Sequence, residues 1–333
     1  MGNPRSESNK GDQVKFQEEL KDNIRKALPE LDVVIGWCGS FDPLHATPHF
    51  MRREEDIDKL EISPLSVHNL ATYLPGLRGK KVGIVVKGCD SRSVVELLQE
   101  NLINREDITI FGFPCTGVVD QSKIKKALGG HTGNIEFCDM SESVIVIKSE
   151  DKAYTLPMAE MLADKCSSCR YPDAVISDYF AGEKIGNKGE EDADYAAVET
   201  FENLSVPERF GYWLKEFDRC IRCYACRNAC PLCVCRDHCA AESRDPHWLS
   251  QENNVRDKLM FQVIHAYHLA GRCTECGECQ RACPVDIPVL MFKQKMNKEI
   301  RDTFQYEAGV DPEATPPLLS FKMKEENITE KVW

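Results

Sequence analysis

The chain predicts an α/β N-terminal domain with a mostly parallel sheet, followed by a mainly α-helical, cysteine-rich domain. Three observations predict it. Short β-branched runs alternate with helical patterns up to about residue 182, one cysteine rhythm occurs twice after residue 219, and the residues around the two cysteine runs keep helical spacing. Strand–helix alternation with short apolar strands is the pattern of a sheet built from crossover units.

In order, residues 14–28 set Val14, Leu20, Ile24, Ala27 and Leu28 on one helical face, and Pro29 ends the run. Asp32–Gly36 reads as a short buried strand and residues 65–74 as a helix. Val82–Val86 is a second strand, followed by Gly88 and a helix over 91–102. Ile108–Phe113 is a third strand, stopped by Pro114. A helix over 121–128 and a fourth strand at Val144–Ile147 complete the alternation, all four strands being assigned to one sheet. Residues 183–194 are acidic and glycine-bearing, as linkers and surface loops are. Helices are expected over 206–218, over 255–270 (with Leu259, Met260, Val263, Ile264, Tyr267 and His268 as core) and over 287–302. The Pro-rich, charged tail from Ala308 is expected to be extended. The expected units are therefore 1–29 (an N-terminal arm), 30–182 (α/β), 183–204 (acidic linker), 205–305 (helical) and 306–333 (tail).

With 333 residues, 42% of them hydrophobic, each of two domains can bury a core. Lys and Arg number 42 against 54 Asp and Glu, a net charge of −12. That balance argues against nucleic acid as the partner and suits either a basic protein partner or plain solubility. Met1–Asp22 has no apolar signal-peptide core, and no run approaches the roughly 18 apolar residues of a membrane span. A cytoplasmic location is expected, where thiols stay reduced and 17 clustered cysteines read as metal ligands rather than disulfides. Met1–Ser6 also fits the myristoylation pattern, a short motif that matches often by chance.

Cys220, Cys223, Cys226 and Cys230 follow C-x2-C-x2-C-x3-C and precede Pro231. Cys273, Cys276, Cys279 and Cys283 repeat the rhythm before Pro284. Three thiolates at this spacing wrap one [4Fe–4S] cubane in a tight loop, and the fourth reaches the neighbouring cubane. The fourth cysteine is expected to open a helix leading away, and the proline to close the loop. The crossover assigns Cys220, Cys223, Cys226 and Cys283 to one cluster and Cys273, Cys276, Cys279 and Cys230 to the other. Zinc, the rival, favours paired C-x2-C ligands. This makes the second domain a dicluster ferredoxin, and its long helical insert between Cys230 and Cys283 resembles the helical ferredoxin domains of succinate dehydrogenase and heterodisulfide reductase subunits.

The other cysteines leave alternatives open. Cys233, Cys235 and Cys239, with His238 nearby, are either part of a further metal site or packed thiols beside the clusters. Cys89 and Cys115 each follow a strand, at the edge where open α/β sheets place their sites, and Cys166 and Cys169 form a C-x2-C pair further on. These four either converge on a third cluster or remain separate buried thiols and a redox or zinc pair. Gly88 opens a strand-to-helix turn whose N–H groups, with Arg92, would suit a phosphate; Asp90 or Ser91 acting as N-cap explains the same residues structurally. His45 and His49 are read as surface residues, and Cys38 and Cys138 as packed thiols. No nucleotide-binding glycine motif and no proton-transfer set is present, so no catalytic residue is assigned.

The order Gly88-Cys89-Asp90-Ser91-Arg92, Pro114-Cys115-Thr116-Gly117, Cys166-Ser-Ser-Cys169-Arg-Tyr-Pro172 resembles the beta subunits of deazaflavin-reducing hydrogenases and formate dehydrogenases, over about residues 30–182. The resemblance implies that the α/β domain can hold FAD and a [4Fe–4S] cluster, with Cys89, Cys115, Cys166 and Cys169 as ligands and Gly88, Ser91 and Arg92 near the flavin phosphate. Family members that reduce deazaflavin usually carry the ferredoxin motif before the α/β domain, whereas here it follows. The reading is an iron–sulfur electron-transfer subunit of a cytoplasmic anaerobic complex. Its expected partners are heterodisulfide-reductase-like, hydrogenase or formate dehydrogenase subunits, or ferredoxin. The rivals are a flavin-containing oxidoreductase linking a soluble hydride carrier to the clusters, and a zinc-stabilised interaction module.

Overall fold

The computed structural model describes residues 5–130, 135–141, 143–149, 152–188, 195–235, 238–242 and 248–321. The first four residues of the myristoylation pattern, the acidic stretch 189–194 and the tail from 322 lie outside them. Helix α1 (Arg5–Ala27) starts earlier than the apolar face alone suggests, and its Leu20 and Ile24 are fully buried. Strands β1 (Val33–Gly39) and β2 (Ala46–Met51) form a hairpin, and the one-turn α2 (Glu54–Ile57) follows. The expected helix at 65–74 is a 3-10 segment, Leu70–Leu77, with Pro75 inside it. Proline removes a backbone donor and blocks α-helical continuation there.

Strand β3 (Val82–Val86) is buried along its whole length, as a continuous apolar run requires in a parallel sheet covered on both faces. It leads into α3 (Gly88–Gln99), then β4 (Ile108–Gly112) and α4 (Gln121–Ala127). The main sheet has the order β2-β1-β3-β4-β8, where β8 is Tyr179–Phe180; only the β1–β2 pairing is antiparallel. The mostly parallel sheet thus stands, but its membership differs from expectation. Val144–Ile147 belongs to β6 (Val144–Ser149), the centre of a separate antiparallel sheet between β5 (Ile135–Met140) and β7 (Ala153–Pro157). Backbone hydrogen bonds link Ser141 to Val144 and Ser149 to Lys152 between these strands, and connections that short permit only antiparallel neighbours. The fifth place in the main sheet goes to β8, pinned by Asp178, whose carboxylate accepts the Ile110 N–H at 2.8 Å.

Two single turns, α5 (Met158–Met161) and α6 (Asp164–Ser167), carry the chain to the Cys166–Cys169 pair. The stretch read as a linker is partly structured. Residues 185–186 are tied to the Asp173 carboxylate, and α7 (Ala196–Glu202) is held to the last long helix through Glu202, which meets both Lys295 and Lys298. Helix α8 (Val206–Asp218) opens with a Ser205/Glu208 capping box and covers the expected span. The cysteine loops contain the one-turn helices α9 (Ala225–Asn228) and α11 (Glu278–Arg281), with α10 (Val255–Tyr267) between them and α12 (Val289–Phe304) after them. Phe217 and Phe261 are buried at the centre of this second core, with Trp213 and Phe292 packed against it. No helix among the described residues is long and apolar enough to cross a membrane.

The segment after Phe304, expected as an extended tail, folds back across α3. Arg92 donates to the Ala308 carbonyl at 2.8 Å, Gln99 to those of Asp311 and Ala314, and Tyr306 to the Glu96 carboxylate at 2.8 Å. A Cβ on Gly309, whose φ is +69°, would sit 2.2 Å from the Arg92 carbonyl oxygen, so the strap needs glycine there.

Burial pushes Glu96 up to about 7, against the opposing pull of the Tyr306 hydroxyl. A carboxyl raised this way keeps its proton in the native state while the unfolded chain gives it up. Its contribution is therefore complete below about pH 4.3 and is lost as pH rises toward 7, amounting to at most about 3 kcal/mol. Glu96→Gln should flatten the fall in stability between pH 5 and 8, as read by urea unfolding midpoints. An unchanged slope would show that Glu96 is ionised in the folded protein.

Candidate metal centres

The two cysteine loops share one backbone plan. The second residue after each first cysteine, Arg222 (φ 48°) and Glu275 (φ 56°), is left-handed, and so is the residue after each second cysteine, Tyr224 (φ 60°) and Gly277 (φ 71°). Alternating left- and right-handed residues turn successive N–H groups into one concavity, the kind of nest that holds anions and iron–sulfur groups. Non-glycine residues adopt this conformation at a cost, so its recurrence at matching positions marks a constraint imposed by what the loop encloses. Backbone N–H groups already point at sulfur: Arg222 N lies 3.4 Å from Cys220 Sγ and Ile287 N 3.4 Å from Cys283 Sγ.

The fold crosses the two runs. Cys283 approaches Cys220 and Cys226 closely enough for a charge on one thiol to raise the pKa of another. Cys230 stands in the same relation to Cys273, Cys276 and Cys279. Each fourth cysteine ends a one-turn helix rather than opening one, because Pro231 and Pro284 follow at once and the chain turns there. Burial pushes Cys226 and Cys273 up to about 12 and Cys276 up to about 11. Thiols buried like Cys226, Cys273 and Cys276 are poor hosts for bare negative charge and good hosts for a cationic iron–sulfur core that takes the thiolates as ligands. The Lys293 ammonium is buried with no hydrogen-bond partner among the described residues, as are both ring nitrogens of His265. An orphaned cation within reach of Cys226, Cys230, Cys273 and Cys279 fits an anionic cluster. The residues present therefore suit two [4Fe–4S] groups.

The trio Cys233, Cys235 and Cys239 does not gather. Cys233 hydrogen-bonds with Cys230, Cys239 is buried in a hydrogen bond with Arg227, and Cys235 and His238 are exposed. Among the described residues no three His, Cys, Asp or Glu side chains close on a single-ion site. Cys38 lies 3.5 Å from the Thr47 hydroxyl, while His45 bonds to Asp42 in the β1–β2 turn and His49 of β2 to the Asp56 carbonyl of α2.

In the α/β domain, Cys89, Cys115, Cys166 and Cys169 line one cavity of about 400 Å³. Burial raises Cys115 to about 11, and Cys166 accepts the Val118 N–H at 3.4 Å. The cavity reaches the second domain, whose Thr274 and Glu275 also line it. Lys165 spans the junction: its ammonium donates to the Cys276 carbonyl at 2.6 Å and sits 3.9 Å from Cys89 Sγ.

The residues suggested for a phosphate are otherwise engaged. Ser91 is buried, donates to the Gly88 carbonyl at 2.8 Å and accepts the Val175 N–H at 2.9 Å. Arg92 is taken up by Ala308 and by Glu307, at 3.1 Å. A Cβ on Gly88 would lie 1.7 Å from the Tyr171 carbonyl oxygen, so this glycine serves a close backbone approach. The N-cap of α3 is Lys87 rather than Asp90 or Ser91, and Asp90 instead pairs with the buried Lys87 ammonium at 2.8 Å. Sequence reading missed Lys165, Lys293 and Glu307. A lysine whose role is to be buried has no local motif, and Glu307 meets Arg92 and Arg170 only through the folded-back strap.

Residues 216–287 match the 4Fe-4S dicluster domain family. Two curated relatives align along most of the chain. The F420-dependent formate dehydrogenase subunit beta of Methanocaldococcus jannaschii is 25% identical over 93% of this chain and 89% of its own length. The F420-dependent formate dehydrogenase 1 subunit beta of Methanococcus maripaludis is 26% identical over 86% of this chain and 89% of its own. Alignments this long run through the α/β and cysteine-rich regions in the same order. A chain of the xenon-derivatised F420-reducing [NiFe] hydrogenase complex from Methanosarcina barkeri matches with a TM-score of 0.34 and 17% identity, covering 47% of this chain and 58% of that one.

The crossed arrangement can be tested by paired substitutions. Cys220→Ala with Cys283→Ala should damage one centre and leave about half the iron and sulfide. Cys220→Ala with Cys230→Ala should damage both. Iron and sulfide assays after anaerobic purification separate the cases, and the opposite ranking would mean that each run serves its own centre.

Proposed function

We propose that this chain, which resembles the beta subunits of F420-dependent formate dehydrogenases along most of its length, is the iron–sulfur electron-transfer subunit of an anaerobic oxidoreductase complex. The gathering of eight thiols into two crossed sets carries the reading. Cys220, Cys223, Cys226 and Cys283 would hold one [4Fe–4S] cluster, and Cys273, Cys276, Cys279 and Cys230 the other. When bound, such clusters accept and give single electrons. The chain's own residues desolvate the ligands, direct backbone N–H groups at sulfur and keep the two centres in one small core.

The two centres differ in access. Cys276 and Cys279 are buried, and the Cys276 carbonyl meets Lys165 of the α/β cavity, whereas Cys223 is exposed beside Ile221, which is 63% exposed. Electrons would therefore pass between the cavity and the Cys273–Cys279 loop on one side, and leave or enter near Cys223 on the other. Ferredoxin or another subunit of the complex would dock there.

A second reading is favoured by the cavity itself. Four thiols, Lys165 and two aromatic side chains, Tyr171 and Tyr195, line a space of about 400 Å³. Cys89, Cys115, Cys166 and Cys169 would hold a third cluster there, with FAD or part of it alongside, giving a flavoenzyme that splits a hydride into single electrons. Because Ser91 is buried and Arg92 is bound to the strap, a flavin phosphate would have to displace Glu307 or use the Gly88 turn alone.

Anaerobic purification followed by iron, sulfide and flavin counts tests both readings. About eight irons and eight sulfides per chain, with a broad visible band bleached by dithionite, support the relay. About twelve irons, or bound flavin, add the second site. A colourless zinc protein rejects both.

A further inference from the structure

Lys293 lies in the first turns of α12, is 1% exposed, and has an ammonium with no hydrogen-bond partner among the described residues. Burial pulls its pKa down, and the groups that oppose this and favour the charged form are the thiols Cys279, Cys273, Cys230 and Cys233. Its own charge is felt at Cys226, in the other set, as well as at Cys230 and Cys279. One buried cation therefore faces both sets of ligands. His265 on α10 also lies within its field, with a fully buried ring stacked on Phe261, but burial keeps that ring neutral.

A buried ammonium without a partner is strongly disfavoured, and the anions here are thiolates once iron binds them. A cubane held by four thiolates carries net negative charge, and reduction adds one more. A fixed cation in a poorly screening interior stabilises the reduced form more than the oxidised one. Being shared, it acts on both centres at once and keeps an electron from being trapped on either. A lysine at the surface would be screened by water and salt and would do neither.

We propose that Lys293 is the common counter-cation of the two cysteine-held centres, raising both reduction potentials together. The inference rests on the reading that the eight cysteines hold two clusters, and it adds what sets their potentials. Lys293 is a positioning and tuning residue and does not ligate iron.

The test is a redox titration followed by EPR on the full-length, anaerobically purified protein, comparing wild type, Lys293→Met and Lys293→Arg. Methionine keeps the length of the stem and removes the charge. With iron and sulfide retained, both midpoint potentials should fall in Lys293→Met and return toward wild type in Lys293→Arg. Unchanged midpoints, or a fall at one centre alone, would overturn the proposal. Should Lys293→Met lose iron, Lys293→Arg decides: full iron and near wild-type potentials uphold the charge role, while loss of iron there too assigns Lys293 to packing and refutes it. Wild-type protein without inorganic sulfide would instead overturn the two-cluster reading and this inference with it.

Discussion

The architecture of the second domain follows from bringing Cys283 within electrostatic reach of Cys220 and Cys226, and Cys230 within reach of Cys273, Cys276 and Cys279. Cys230 and Cys283 are separated along the chain by α10, yet each lies near the opposite loop. Helices α8, α10 and α12 must therefore close into one core around both loops, and Phe217, Phe261, Trp213 and Phe292 fill the space between them. The same closure buries or half-buries every one of the eight thiols except Cys223. Any charge held in that interior calls for counter-charge from within, and the buried Lys293 ammonium lies there without a hydrogen-bond partner among the described residues.

The two domains are locked together beside this core. Ser93 of α3 shares a hydrogen bond of 2.8 Å with Thr274 in the second cysteine loop, and Glu100 at the end of α3 pairs with Arg272 just before that loop. A Cβ on Gly277 would lie 3.0 Å from the Lys165 stem, so the glycine leaves it room, and Lys165 reaches on to the Cys276 carbonyl. The carboxyl ends of β3 and β4 thus face the cysteine loop rather than open solvent. A site at the usual edge of an α/β sheet is joined to an electron-carrying core by a few buried polar contacts, and the strap after Phe304 closes the same edge with Glu307.

Much of this is legible in residue patterns. A parallel strand such as Val82–Val86 is a continuous apolar run because both faces are covered, and a helix such as Val206–Asp218 announces itself by its capping box. The dicluster rhythm is legible for a stronger reason, since cubane geometry dictates the spacing of its ligands. Misreadings cluster where a local pattern serves two topologies. Val144–Ile147 looks like any buried strand, and only the shortness of the connections on either side excludes it from the parallel sheet. Ala196–Glu202 sits in a stretch that composition marks as linker, but salt bridges from Glu202 to α12 hold it in place.

What the sequence by itself determined is whatever short-range chemistry imposes: the strands, most of the helices, and eight thiols in loops shaped to enclose something anionic. What only the tertiary structure decided is which distant groups share a buried space. Lys293 beside both thiol sets, Lys165 between Cys89 and Cys276, and Glu307 against Arg92 and Arg170 are side chains far apart in the chain. Their charges matter because the interior screens poorly, and whether a charge is inside or outside is a property of the packed molecule, not of the residues next to it in the chain.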